Sequence, residues 1–148
     1  MKQSTQNYLK AMVALCGPES FRRLKINEIS KKLEISPAAV NDMVKKLEVE
    51  KFVTCLPYKG VTLTKKGWEI GCNMIRHHRL WESFLYTELG LSWDKVHEEA
   101  ERLEHACSDE IINKIEEKLG FPKEDPHGNP IPDRNGKILY KTKYTPPI

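Results

Sequence analysis

Residues 26–63 read I-N-E-I-S-K-K-L-E-I-S-P-A-A-V-N-D-M-V-K-K-L-E-V-E-K-F-V-T-C-L-P-Y-K-G-V-T-L, and the fold turns on them. Ile26, Ile29 and Leu33 recur at helical spacing, so Ile26 to Ile35 is expected as a short amphipathic helix with Asn27 as its cap. Ser36 then offers a hydroxyl to cap a second helix, and Pro37 suits its first turn. That helix runs from Ala38 to Glu50, with Val40, Met43, Val44 and Leu47 facing inward. Two helices joined by so tight a turn form a helix-turn-helix, and the small Ala38 and Ala39 keep the second helix slim where it would meet a groove. Phe52 to Leu56 alternates as a strand, Pro57-Tyr58-Lys59-Gly60 is turn chemistry, and Val61-Thr62-Leu63 returns. A hairpin directly after the second helix is a wing. Two uses stay open for such a unit: reading DNA, or protein contact alone.

Outward from this core, residues 4–15 open with Ser and Thr and carry Tyr8, Leu9, Met12, Val13 and Leu15 near a helical period. Gly17-Pro18 ends that helix, and residues 18–25 are a charged connection. Downstream, Thr64 caps a long helix from Lys65 to about Leu89, which Gly90 stops. Ser92 caps the next helix, Trp93 to about Ser108, and Asp109 to Leu119 forms another before Gly120. Residues 121–148 hold six of the nine prolines and read as an irregular tail, with a little strand near Lys137 to Tyr140. The expected fold is mainly α: a winged helix-turn-helix over residues 1–66, then an α-helical domain over residues 67–148.

With 148 residues, the chain can bury one fair core or two small ones. The net charge of +3 conceals an asymmetry. Residues 1–66 carry 13 Lys/Arg against 6 Asp/Glu, whereas residues 67–148 carry 11 against 15, a split of +7 and −4. A basic half joined to an acidic one suits a polyanion-binding module fused to something else. No apolar run approaches the ~18 residues of a membrane span, and the first residues lack a signal peptide's layout, so a cytoplasmic protein without membrane partners is expected. Cys16, Cys55, Cys72 and Cys107 form no C-x-x-C pair, which argues against disulfides and Cys-rich zinc knuckles.

The acidic half contains the chemistry. In V-H-E-E-A-E-R-L-E-H-A-C, from Val96 to Cys107, helical geometry puts His97, Glu101, Glu104 and His105 inside an arc of about 100°. Val96, Ala100, Leu103, Cys107 and Ile111 make the adjoining apolar stripe. His78 and Glu82 form a matching pair one helix earlier, at i, i+4. Imidazole and carboxylate together suit a first-row divalent cation. A solvated acidic face is the alternative. Cys107, two residues past His105, lies near enough in sequence to approach such an ion.

Taken together, N-Y-L-K-A from Asn7, S-P-A-A-V from Ser36, the wing Y-K-G-V-T-L-T-K-K-G from Tyr58, H-H-R-L-W-E-S-F-L from His77, V-H-E-E-A-E-R-L-E-H from Val96, Ser108-Asp109-Glu110 and H-G-N-P-I-P from His127 resemble the diphtheria-toxin-repressor family of metal-dependent repressors. The resemblance covers nearly the whole chain. It implies a winged helix, a helical dimerisation domain and, in some members, a third SH3-like domain for which this chain is too short. It implies a primary metal site of Asn7, Glu101, Glu104 and His105. Glu101 resembles the manganese-responsive branch, whose oxygen donor favours harder ions than the iron branch's thiolate. Asn7 stands where those branches carry Met or Asp. An ancillary site of His78, Glu82 and His97 is similar to the iron branch, as is Arg79, an anion-holding arginine there. Lys10 replaces a metal-binding Glu of the manganese branch, so that branch's close two-metal arrangement is not expected.

The function so implied is a homodimeric repressor that binds palindromic, double-stranded operator DNA when loaded with Fe2+ or Mn2+, and so controls metal homeostasis. Co2+, Ni2+ or Zn2+ would substitute in vitro. A metal joining Asn7 to ligands of the other half would bias the orientation of the reading heads, and DNA would tighten metal binding by the same factor. Ser36, Pro37, Ala38, Ala39, Asn41 and Asp42 are the expected base-edge readers. Lys31, Lys32, Lys45, Lys46 and Lys59 are the candidates for phosphate contact. No H-E-x-x-H or G-x-S-x-G occurs, so no enzyme and no small-molecule substrate is expected. The competing readings are a winged-helix regulator that senses no metal and a small metal-dependent enzyme.

Overall fold

A computed structural model describes residues 1–140, and these fall into two compact units, residues 1–72 and 73–139. The division lies within a helix. In the first unit, α1 (Gln3–Cys16) is followed by α2 (Ile26–Leu33), α3 (Pro37–Val49), β1 (Val53–Leu56) and β2 (Gly60–Leu63). The helix α4 (Lys65–Thr87) begins here and continues into the second unit, which adds α5 (Trp93–Glu104) and α6 (Asp109–Lys118).

Side-chain caps open α3, α4 and α6, whereas α1 starts after Lys2 with Ser4 and Thr5 inside it and Ser92 precedes α5 without a side-chain cap bond. Ser36 Oγ accepts from Ala39 N at 3.1 Å at the head of α3, and Thr64 Oγ1 accepts from Gly67 N at 3.2 Å at the head of α4. Asn27 does not cap α2. Lys25 is the N-cap, and the Glu28 carboxylate reaches back to accept from its backbone N at 3.4 Å, satisfying a donor that no upstream Ser or Asp could. Glu34, left-handed at φ 57°, ends α2.

β1 and β2 pair antiparallel with Val53 opposite Leu63. The charged connection supplies a third short edge. Leu24 N donates to Val61 O at 2.8 Å, and Val61 N donates to Leu24 O at 2.9 Å. Gly60 permits this: a Cβ there would stand 2.2 Å from Leu24 O, and its φ of 107° suits glycine. Leu9, Met12, Val13, Ile29, Val40 and Val61 are the buried centre of the unit. Gly71 lets the start of α4 lie against α1, since a Cβ would meet Leu9 O at 2.6 Å.

In the second unit Leu80, Ile112 and Ile115 pack together with Trp81, Phe84 and Ile131, and Leu85, Val96 and Ala100 form an adjoining cluster. Ile112, not Ile111, faces inward. The apolar stripe of α5 does not run on to residue 111, because α5 ends at Glu104 and Ser108 caps a separate helix, its Oγ accepting from Ile111 N at 3.3 Å. Buried Arg76 staples α4 to α6 and to the following segment. It donates to Glu116 Oε2 at 2.8 Å and Oε1 at 3.1 Å, to Asn113 Oδ1 at 2.9 Å and to Pro132 O at 3.3 Å. That guanidinium, aided by Arg134, holds the Glu116 carboxyl below the usual carboxylate range against the opposing effect of burial. No strand forms at residues 137–140. Asp133 Oδ1 instead accepts from Asn135 N and Lys137 N and closes a turn just before them. The rest of the expected tail, residues 141–148, lies outside the described residues.

Candidate functional site

The face expected to meet DNA belongs to the first unit. With Val40, Met43, Val44 and Leu47 buried, α3 leaves Pro37, Ala38, Ala39, Asn41, Asp42 and Lys45 exposed beside its capped N-terminus. The peptide dipoles make that end favourable for an anion. Glu48 Oε2 accepts from Cys55 N at 2.6 Å and ties the wing to α3. Between them lies a groove of about 710 Å3 whose walls include Asn41, Lys45 and Lys59 together with Arg23 and Lys25. Sequence reasoning missed those last two, because they sit in a connection without a period; the backbone bridge at Leu24 brings them to the wing. Tyr58, at φ 61°, is fully exposed at the hairpin tip. Lys32 is exposed on α2 and does not line the groove, and Lys31 and Lys46 are likewise exposed.

In the second unit, His78 and His97 converge on Glu82. His78 Nε2 lies 3.3 Å from Glu82 Oε1 and 3.2 Å from His97 Nδ1, while His97 Nδ1 lies 3.6 Å from Glu82 Oε2. Donors bound at ~2.1 Å to one ion stand roughly 3.0–3.4 Å apart in octahedral or tetrahedral geometry, so these three residues fit a shared cation. Sequence reasoning overlooked two further donors. His127 Nδ1 lies 3.5 Å from Glu82 Oε2 and 3.8 Å from Asp125 Oδ2. Among the described residues, the two groups His78-Glu82-His97 and Glu82-Asp125-His127 each have donors within 4.8 Å of one another, and both use Glu82. A signal for the second group was present: D-P-H-G puts Asp and His two residues apart in a Pro/Gly turn. Arg79 Nη1 donates to Pro130 O and holds that turn in place.

Electrostatics support the fit. Burial alone would raise the Glu82 carboxyl, but the hydrogen bond from His78 and the nearby His78, His127 and His97 outweigh it and hold it below the ordinary range. Asp125 is pushed up, chiefly by burial, opposed by the Asn129 backbone N–H and reinforced by Glu82. Its Oδ1 accepts from His127 N and Asn129 N, whereas its buried Oδ2 has no hydrogen-bond partner among the described residues. A buried carboxylate oxygen without a donor is costly unless a cation meets it.

The expected primary ligands are arranged differently from a single helical arc. Glu101 meets His97, Oε1 to Nε2 at 3.1 Å, on the exposed side of α5. Glu104 is only 1% exposed, and its Oε1 lies 3.5 Å from His105 Nε2. His105 is the C-cap residue of α5, outside the helix proper. Glu104 Oε2 lies 3.3 Å from His78 Nδ1. Cys107 takes no part in either group: its Sγ contacts Ser108 O, and burial raises its thiol. Asn7 belongs to the first unit.

Residues 1–61 match the family profile described as iron dependent repressor, N-terminal DNA binding domain, and residues 64–133 match iron dependent repressor, metal binding and dimerisation domain. An uncharacterised HTH-type transcriptional regulator of Methanocaldococcus jannaschii is 41% identical over 115 residues, 78% of this chain and 91% of that protein. The iron-dependent repressor IdeR of Mycobacterium tuberculosis is 34% identical over 129 residues, 87% of this chain and 55% of its own length. A solved manganese-dependent transcriptional repressor in complex with manganese superposes with a TM-score of 0.79 at 38% identity, covering 93% of this chain and 63% of that one. The chain thus spans little more than half the length of the named iron repressor.

Proposed function

Because the chain belongs to the iron-dependent repressor family of metal-dependent transcriptional regulators, we propose that it is itself a repressor whose grip on operator DNA is set by a divalent cation. The observation that carries the reading is the Glu82 centre, where carboxylates and imidazoles crowd within coordination distance in a chain whose other unit is a winged helix. His78, Glu82 and His97 form one ligand set, which Asp125 and His127 extend. Glu101, Glu104 and His105 supply the second, and Asn7 enters on the resemblance alone. Mixed oxygen and nitrogen donors without thiolate suit Fe2+ or Mn2+. The bound ion would neutralise the buried acids and fix the side chains that surround it.

On DNA, Ser36, Pro37, Ala38, Ala39, Asn41 and Asp42 face the bases, with Asn41 able to pair with adenine and Asp42 to accept from a cytosine amine. Lys45 and Lys59, with Arg23 and Lys25, neutralise phosphates, and Lys32 adds to them. Two copies paired through residues 67–148 would read a palindrome. The protein acts in the cytoplasm and catalyses nothing; no helix among the described residues is long and apolar enough to cross a membrane. A gel-shift with operator DNA, with and without chelator, tests the reading: binding is expected only with metal. Glu101→Ala should abolish the metal response and Asn7→Ala should weaken it less. An intact response in Glu101→Ala would remove Glu101 from the ligand set.

A further inference from the structure

The tip of the wing carries an aromatic ring on backbone that glycine would suit better. Leu56 pairs with Gly60, leaving Pro57, Tyr58 and Lys59 as the loop, and Lys59 N donates to Leu56 O at 2.9 Å. Pro57 and Tyr58 are thus the central residues of a β-turn. Pro57, with its fixed φ, suits the first central place, and Tyr58 takes the second at φ 61°. A positive φ there marks a type II turn, which favours Gly or Asn at that place. Left-handed backbone is unfavourable for a residue with a Cβ and persists where function or surroundings demand it. Nothing in the fold compensates Tyr58, because its side chain is fully exposed.

The base beneath this bare tip is firmly held. Glu48 Oε2 accepts from Cys55 N at 2.6 Å, and Leu24 and Val61 exchange backbone hydrogen bonds at 2.8 and 2.9 Å. Lys59 shares the turn with Tyr58, and Arg23, Lys25 and Lys45 wall the groove beside it. With the N-terminus of α3 in a major groove, a phosphate strand crossing those cations would bring the tip to the minor groove on its other side. That groove is about 6 Å wide, against about 12 Å for the major groove, so it admits a flat ring but no second helix. Its deoxyribose walls are apolar, and at A·T pairs its floor carries only acceptors, to which a phenol O–H can donate. At G·C pairs the guanine amine stands in the way.

We propose that Tyr58 is a specificity-determining residue: its ring enters the minor groove beside each half-site and favours A·T pairs there, beyond the bases that α3 reaches. This rests on the DNA-binding reading above and adds a second reader to it. Tyrosine stands where glycine would fold better, because glycine has no ring to place in that groove.

The test uses the full chain loaded with Mn2+ and a duplex that it selects from a random pool, with affinity read by fluorescence anisotropy. The flank of each half-site is made A·T, G·C or inosine·cytosine, the last pairing an A·T-like minor groove with a G·C-like major groove. Wild type should bind the A·T and inosine·cytosine flanks alike and the G·C flank at least about fivefold more weakly. Tyr58→Ala should lose at least about fivefold on the A·T flank and bind all three flanks within about twofold of one another, its preference at the central bases unchanged. Tyr58→Gly should do the same, yet raise the melting temperature of the free chain by about 2–4 °C as the turn relaxes. Wild-type affinity and flank ranking in Tyr58→Ala would overturn the assignment. So would an equal loss on every flank, the sign of a backbone contact alone, or an inosine·cytosine flank bound like G·C, the sign of the major groove. A Tyr58→Gly chain that melts no higher than wild type would remove the strain on which the assignment stands. Where the wild-type chain still selects DNA only with metal, those outcomes leave the repressor reading intact; selection of no duplex at all would remove both.

Discussion

Replacing Arg76 with Met should cost about 3 kcal/mol of stability. The guanidinium is buried and donates to Glu116, Asn113 and Pro132 O together. Removing one member of a buried pair costs roughly 3–5 kcal/mol, because the remaining charge loses its partner. Here Arg134 stays on Glu116 Oε1 at 2.9 Å, so the lower end of that range applies. For a chain of this size the loss corresponds to a melting temperature lower by about 6–12 °C. Urea unfolding of the metal-free protein at one fixed protein concentration measures it, since the proposed pairing of two copies would make stability concentration-dependent. The pH dependence carries a sign. Glu116 is held below its usual value first by Arg76, so its contribution is complete above the unfolded carboxylate pKa and disappears as pH falls through the lowered folded value. The gap between wild type and Arg76→Met should therefore narrow on acidification from pH 7 towards about pH 3. A loss under about 1 kcal/mol at pH 7, the size of an exposed pair, would refute the assignment of Arg76 as a buried staple.

Three other outcomes are expected. Ser36→Ala removes the acceptor for Ala39 N and should cost about 1 kcal/mol, read by urea unfolding, and should weaken DNA binding because the frayed turn carries Pro37, Ala38 and Ala39. Lys45→Ala should lower the slope of log affinity against log salt by about one unit, measured by fluorescence anisotropy on duplex DNA, with little change in sequence preference. Asp125→Asn keeps the Oδ1 acceptor for His127 N and Asn129 N but removes a buried charge. It should raise the metal-free melting temperature by a few degrees while reducing the further rise that Mn2+ produces.

The winged-helix unit is legible in the sequence because its signals are local. Ser36-Pro37 is a cap followed by a helix start, and the alternation around Pro57–Gly60 is a hairpin whatever surrounds it. Asn27 suits a cap by type, yet the chain turns into α2 two residues earlier, at Lys25, where Glu28 closes the cap from inside the helix. His78, Glu82 and His97 were found by spacing, since helical periodicity puts i and i+4 on one face. Asp125 and His127 were not, because a Pro/Gly-rich segment has no period from which to read direction; backbone hydrogen bonds to Asp125 and the grip of Arg79 on Pro130 O set their place. The arc of α5 was read as one ligand face, but it divides. His97, with a side chain 59% exposed, and Glu101 lie outside, while Glu104 turns into the core where His77 and His78 receive it. Tertiary packing decides that, and no single-helix pattern contains it.

The most direct measurement is a linkage cycle on one labelled operator duplex: DNA affinity with and without saturating Mn2+ or Fe2+, and metal affinity with and without DNA. Metal should tighten DNA binding by a factor on the order of 5–150 per chain, and DNA should tighten metal binding by the same factor. Equal DNA affinity in metal and in EDTA would contradict the account.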